Sequence, residues 1–169
     1  MADVSGKIND TLKLIKNGDY FIINLPRQYG KTTTLNTLSQ ILMQSDDYMA
    51  IRISFEGIGD AIFVNEESFS KLFIDLWAER SVFFAPTLTE WLKKAQDRVK
   101  GLDTLSKVIT ELANEIDRKL VILIDEVDKS SNNQLFVSFL AMLRDNIWIG
   151  LKLKPFILLF YRVSMTSNL

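Results

Sequence analysis

Short apolar runs alternate in this chain with longer stretches of helical periodicity, and this alternation constrains the fold most. Two runs are continuously apolar and include β-branched residues: residues 20–25 (YFIINL) and the start of residues 120–129 (LVILIDEVDK). Such runs are typical of strands buried on both faces of a sheet. Residues 49–57 (MAIRISFEG) and 156–163 (FILLFYRV) are further strand candidates. The alternation predicts an α/β fold, a three-layer sandwich with a mainly parallel sheet.

Amphipathic stretches between these runs predict the helices. Ile8, Leu12 and Ile15 recur at helical spacing, with Ser5 as the predicted N-cap and Gly18 at the end. Further helices are predicted at residues 31–43, 65–84, 88–100, 101–119 and 134–148. The 169 residues suffice for one domain with a substantial core.

The composition excludes several kinds of chemistry. The chain has no cysteine and no histidine, which excludes thiol nucleophiles, disulfides, the commonest zinc ligands and imidazole acid–base catalysis. The net charge is −1 and the basic residues are scattered, so the chain carries no direct nucleic-acid signal and no membrane-surface signal. The N-terminus lacks an apolar signal core, and a cytoplasmic location is the expectation.

The segment after the first strand has the pattern of a phosphate-binding loop. Residues 26–30 form a predicted turn, and Gly30-Lys31-Thr32 opens a helix. Backbone N–H groups there can surround a phosphate, Lys31 can reach the β- and γ-phosphates, and the Thr32 hydroxyl can hold Mg²⁺. Leu25 stands where the usual pattern begins with glycine. The alternative is an ordinary strand–turn–helix with a chance GKT.

A second motif stands at the end of the strand that begins at residue 120. In phosphoryl-transfer proteins an aspartate at such a position, here Asp125, holds the shell of Mg²⁺, and a neighbouring glutamate, here Glu126, polarises the attacking water. Alternatively, the two acids only end a buried strand. The two motifs in this order favour nucleotide binding. The predicted catalytic residues are Lys31 and Glu126, and the predicted metal ligands are Thr32 and Asp125. The predicted nucleotide-binding residues are Arg27, Gln28, Tyr29, Gly30, Lys31, Thr32 and Thr33.

Other polar and aromatic residues have ordinary explanations. Arg27 and Gln28 could contact phosphate or base, or lie in a solvated turn. Glu56 and Asp60 could approach the γ-phosphate, although loop solubility is favoured. Asp128 is expected beyond reach of the metal. Core packing is favoured over base stacking for the tryptophans, which are Trp77, Trp91 and Trp148. No preference separates the candidate arginine fingers, which are Arg80, Arg98 and Arg144.

Four segments resemble the bacterial AAA-ATPase-like family: YFIINLPRQYGKTTTL, ISFEG, VILIDEVD and FLAMLRDN. The resemblance extends from Ala2 to Pro155 and is most specific at residues 27–33. It implies a P-loop ATPase domain with ATP and Mg²⁺ as cofactors, and it makes Leu25 a family variant. It also implies that the strand after Asp125 inserts between that strand and the first one. Family members commonly carry a restriction-endonuclease-like nuclease domain. A homo-oligomer is left open.

Beyond Pro155 the residues depart from the family pattern. Where the family has a strand and a loop with a nucleotide sensor, this chain has PFILLFYRVSMTSNL. Residues 1–155 are therefore predicted to be a partial, C-terminally incomplete P-loop domain. Residues 156–169 are predicted to be an aberrant tail produced by a frameshift, although its apolar run could fill the missing strand's place.

Three functional hypotheses follow. The first is a Mg-dependent ATPase domain, with turnover impaired by truncation. The second is a catalytically dead nucleotide-binding or interaction remnant of a truncated gene. The third, a P-loop kinase or GTPase, is disfavoured because the chain lacks an Asn-Lys-x-Asp string for guanine recognition and an obvious acceptor-binding lid.

Overall fold

A computed structural model of the chain describes residues 4–18, 21–24, 31–125, 133–149 and 157–162. Its helices are α1 (Val4–Asn17), α2 (Lys31–Met43), α3 (Glu66–Ser81), α4 (Pro86–Gln96), α5 (Leu102–Glu115) and α6 (Gln134–Ile149). Its strands are β1 (Phe21–Asn24), β2 (Tyr48–Ser54), β3 (Lys119–Asp125) and β4 (Ile157–Arg162). A short 3-10 helix spans Asp60–Val64.

The strands form one parallel sheet in the order β1-β4-β3-β2. β4 pairs with β1 where Phe21 lies opposite Leu159, and with β3 where Val121 lies opposite Ile157. Parallel neighbours require crossover connections, and the helices lie in those connections. The predicted α/β fold is confirmed, and so is the sheet order that the family resemblance implied.

Helices cover both faces of the sheet. One face of β2 and β3 packs against α1 and α2, in a cluster formed by Ile15, Leu35, Leu38, Leu42, Tyr48, Ala50, Val121 and Leu123. The opposite face contributes Ile51, Ile53, Ile122 and Ile124 to a larger cluster with α3, α5 and α6. Because side chains alternate along a strand, this division assigns each position of β2 and β3 to one face.

The larger cluster contains a group of closely packed aromatic rings. The ring of Phe69 lies edge-on to Phe139 at a centroid distance of 4.9 Å and is stacked on Phe55 at 5.7 Å. Phe69 and Trp77 are fully buried, so Trp77 packs in the core as predicted. Trp91 is half-buried and packs against the same cluster. The side chain of Trp148 lies outside the described part of the structure.

The helices lie where the local sequence signals predict them, but several of their ends differ. α4 and α5 end at Gln96 and Glu115, before the predicted residues 100 and 119. α2 has the predicted bounds, and Gly18 follows α1 with a φ of 76°, which glycine adopts at little cost. The prediction that Ser5 caps α1 is wrong, because the helix already begins at Val4 and an N-cap residue is not helical. α3 ends at Ser81, before the predicted Phe84, and its N-cap Asn65 accepts a hydrogen bond from the Ser68 N–H at 2.9 Å.

Candidate functional site

The carboxyl edge of the sheet contains the strand ends that precede both predicted motifs. β1 and β3 are both parallel to β4, so β1 ends at Asn24 and β3 ends at Asp125 on the same edge. In open α/β sheets, ligands bind outside the carboxyl ends of the strands. The fold therefore directs both motifs to the edge where such a ligand would lie.

α2 begins at Lys31, directly after the predicted phosphate loop. Its first N–H groups have no partner inside the helix, and its N-terminus has the positive end of the helix dipole, which favours an anion. Thr32 and Thr33 lie in this first turn with exposed side chains. The predicted binding residues Arg27, Gln28, Tyr29 and Gly30 lie outside the described residues, as does the side chain of Lys31.

Asp125 is the last residue of β3 and is 1% exposed. Val121 and Leu123, four and two positions earlier, belong to the cluster that α2 completes. Strand alternation therefore places the Asp125 side chain on the face of the sheet that α2 covers. A buried carboxylate requires polar or charged partners, because its desolvation is otherwise costly.

One of those partners is Arg52 on β2, which the sequence interpretation did not identify. Its Nη2 donates to Asp125 Oδ2 at 2.7 Å, and its Nη1 donates to the side-chain oxygen of Asn36 on α2. Ser54 lies opposite Asp125 in the sheet register, and Arg52 is two residues earlier on the same face. The available signal was a single charged residue within the otherwise uncharged strand YMAIRIS.

Asn36 also orients α2 with respect to β3. Residues four positions apart lie on the same side of a helix, so Thr32 lies about one turn, ~5.4 Å, N-terminal of Asn36 on the same side. The Arg52 guanidinium joins Asn36 to Asp125. The side of α2 that carries Thr32 therefore faces the end of β3.

The donor groups suit magnesium. Mg²⁺ prefers oxygen ligands and usually takes one or two from a protein, with the remaining ones from water and phosphate. The Asp125 carboxylate and the Thr32 hydroxyl are of this kind. Within the described ranges no group of three or more acidic residues forms a metal-binding cluster by itself. Glu126 and Asp128 lie outside those ranges.

The remaining candidates lie in ordinary surface environments. Glu56 and Asp60 are exposed, in agreement with the favoured role in loop solubility. Arg98 pairs with Glu111 at 3.0 Å and lies over the ring of Trp91, at 5.8 Å from its centroid. The two other arginine-finger candidates are also exposed: Arg144 pairs with its neighbour Asp145 at 3.3 Å, and Arg80 lies at the end of α3.

A family described as "AAA-like domain" matches residues 7–151. The chain belongs to this AAA-like domain family. The match includes both predicted motifs and supports an ATPase-type, nucleotide-binding domain. No curated protein matches the chain. Among the helices in the described ranges, none is long and apolar enough to cross a membrane.

One solved structure resembles the fold of the AAA-like domain, and a second one matches it less well. The Aeropyrum pernix ORC2 protein, solved as ADPNP–ADP complexes, has a TM-score of 0.55 and 12% identity over 96% of this chain and 40% of that one. The C. elegans PCH-2 structure has a TM-score of 0.46 and 16% identity over 97% of this chain and 36% of that one. The chain thus spans less than half of either protein. At 12% identity, the likeness to ORC2 concerns the fold alone.

Proposed function

We propose that this AAA-like domain binds ATP with Mg²⁺ at the carboxyl edge of its sheet and hydrolyses it. The observation that carries the proposal is the position of Asp125, buried at the end of β3 on the face that α2 covers. α2 begins at Lys31 on the same edge. The start of α2 and the end of β3 thus lie on one edge of the sheet, which supports a shared nucleotide site there.

The proposal assigns a role to each predicted residue. The backbone N–H groups of residues 27–33 bind phosphate oxygens, and the Lys31 ammonium donates to the β- and γ-phosphates. The Thr32 hydroxyl and the Asp125 carboxylate hold Mg²⁺, which neutralises phosphate charge when it is bound. Glu126 accepts a proton from the attacking water and acts as the general base.

Calorimetric titration with Mg-ATP tests the binding half of the proposal. Lys31→Ala removes a charged hydrogen-bond donor worth about 1.5–3 kcal/mol, so the affinity is expected to fall by about 10- to 100-fold or beyond detection. The matched control is Lys93→Ala, an exposed lysine on α4, which is expected to bind like the unmodified protein. Equal affinities of Lys31→Ala and Lys93→Ala would refute the proposal.

Single-turnover hydrolysis tests the catalytic half. Glu126→Gln keeps the size of the side chain and removes its basicity, so Mg-ATP should still bind while hydrolysis slows by about 10²- to 10⁴-fold. Hydrolysis at the unmodified rate in Glu126→Gln would exclude Glu126 as the base.

The Arg52–Asp125 ion pair favours a second candidate function, nucleotide binding without turnover. A carboxylate that already bonds a guanidinium at 2.7 Å is less available to a metal shell. In this candidate function the domain binds the nucleotide but is catalytically dead. This candidate requires that the unmodified protein binds ATP but shows no single-turnover hydrolysis, whereas the ATPase proposal requires both.

A further inference from the structure

Arg52 occupies an unusual place for a charged side chain. Tyr48 and Ala50, earlier on the same face of β2, are buried in the cluster beneath α2. Arg52 continues this apolar stripe, and its Nε is buried without a hydrogen-bond partner in the described structure. Burial of a charged group is costly unless the group is paired. The pairing of Arg52 with Asn36 and Asp125 therefore accounts for its place in the strand.

Both partners of the guanidinium belong to elements that form the proposed site. Asn36 is on α2, one turn from Thr32, and Asp125 ends β3. The Arg52 side chain is 21% exposed and that of Asp125 is 2% exposed, so water screens their attraction only weakly. The protein itself thus provides a fixed positive charge, that of Arg52, beside the Asp125 carboxylate.

We infer that Arg52 is a positioning residue that holds the Asp125 carboxylate and competes with magnesium for it. The inference rests on the proposed function. A divalent cation coordinated through Asp125 would lie near the guanidinium, and like charges at one carboxylate repel each other. Arg52 therefore already neutralises part of the negative charge at Asp125 that Mg²⁺ would otherwise neutralise. Nucleotide affinity depends less on Mg²⁺ with Arg52 present than without it.

The test measures the magnesium dependence of ATP binding, because a purely structural role would not change it. ATP is titrated calorimetrically into each protein with Mg²⁺ and with EDTA, and the two dissociation constants give a ratio. Arg52→Gln is expected to raise this EDTA/Mg²⁺ ratio by about tenfold or more, equivalent to ~1.4 kcal/mol. The control is Arg118→Gln, which removes the same charge from a surface ion pair with Asp46 and is expected to leave the ratio unchanged.

A second variant covers the case in which Arg52→Gln does not fold, which near-UV circular dichroism would reveal. Asn36→Ala changes an exposed residue of α2 and removes only the second anchor of the guanidinium. Its ratio is expected to rise by about twofold to threefold, since Arg52 then holds Asp125 less firmly.

The outcomes distinguish a failure of this inference from a failure of the proposed function. If the unmodified protein binds ATP and the ratio is the same in every folded variant, the competition is refuted while the proposed function stands. If the protein binds ATP neither with Mg²⁺ nor with EDTA, the proposed function is refuted and the inference falls with it. A ratio raised in Arg52→Gln and Asn36→Ala but not in Arg118→Gln supports both.

Discussion

Replacement of Arg52 by methionine tests how strongly burial strengthens an ion pair in this protein. The Arg52–Asp125 contact of 2.7 Å has a near match in the Lys71–Glu67 contact of 2.6 Å. The two pairs differ in burial: the side chains are 21% and 2% exposed in the first, and 35% and 42% exposed in the second. If the cation is removed from each pair, the difference between the two losses of stability therefore reports the effect of solvent exposure.

The expected losses of stability differ several-fold. Lys71→Met removes an exposed pair four residues apart on a helix, and because water screens this pair its loss should change the free energy of unfolding little. Removal of one partner from a buried pair costs about 3–5 kcal/mol, because the other charge stays buried. Arg52 keeps some contact with water, so the lower end, about 3 kcal/mol, is expected. Methionine retains the apolar stem, which limits the loss from packing.

Urea unfolding followed by circular dichroism measures both losses. A double-mutant cycle then attributes the loss to the pair: Arg52→Met combined with Asp125→Asn leaves no buried charge, and most of the lost stability should return. The argument fails if Arg52→Met costs no more free energy of unfolding than Lys71→Met.

Two further predictions concern the core and the surface. Phe69→Ala removes a fully buried ring and should lower the free energy of unfolding by about 3–5 kcal/mol, whereas Phe83→Ala, at a side chain that is 94% exposed, should change it by less than about 0.5 kcal/mol; equal losses would contradict the packing described. The hydrogen bond and charge of Lys71, with the charge of Lys100, hold the pKa of the Glu67 carboxyl below its ordinary value, so this contribution to stability is present at neutral pH and is lost as the pH falls through the folded-state pKa. NMR titration should show the pKa of Glu67 rising in Lys71→Met, and an unchanged value would refute the assignment.

Local patterns predicted the elements because those patterns act over a few residues. The apolar residues of α2, which are Leu35, Leu38 and Leu42, recur at helical spacing up to its observed end. Local patterns could not predict the order of the strands, because no local pattern specifies which strands pair. That order came from the family resemblance, and the sheet confirms it.

Local patterns could not predict the contacts of Arg52. Its partners Asn36 and Asp125 are 16 and 73 positions away in the sequence, and only the packing of α2 over β2 and β3 brings them together. A charged residue in an alternating strand is ordinarily assigned to the solvent side. Here both faces of the strand are covered by helices, so the same residue lies inside the protein.

The position of β4 bears on when the domain can be assembled during its synthesis. In the described sheet β1 and β3 do not pair with each other, and each pairs with β4. Residues 157–162 leave the ribosome after all the other described strands, so Phe21 must remain without its partner Leu159 while most of the chain is translated. A nascent chain therefore carries both motifs before β4 is available to hold β1 and β3 in one sheet.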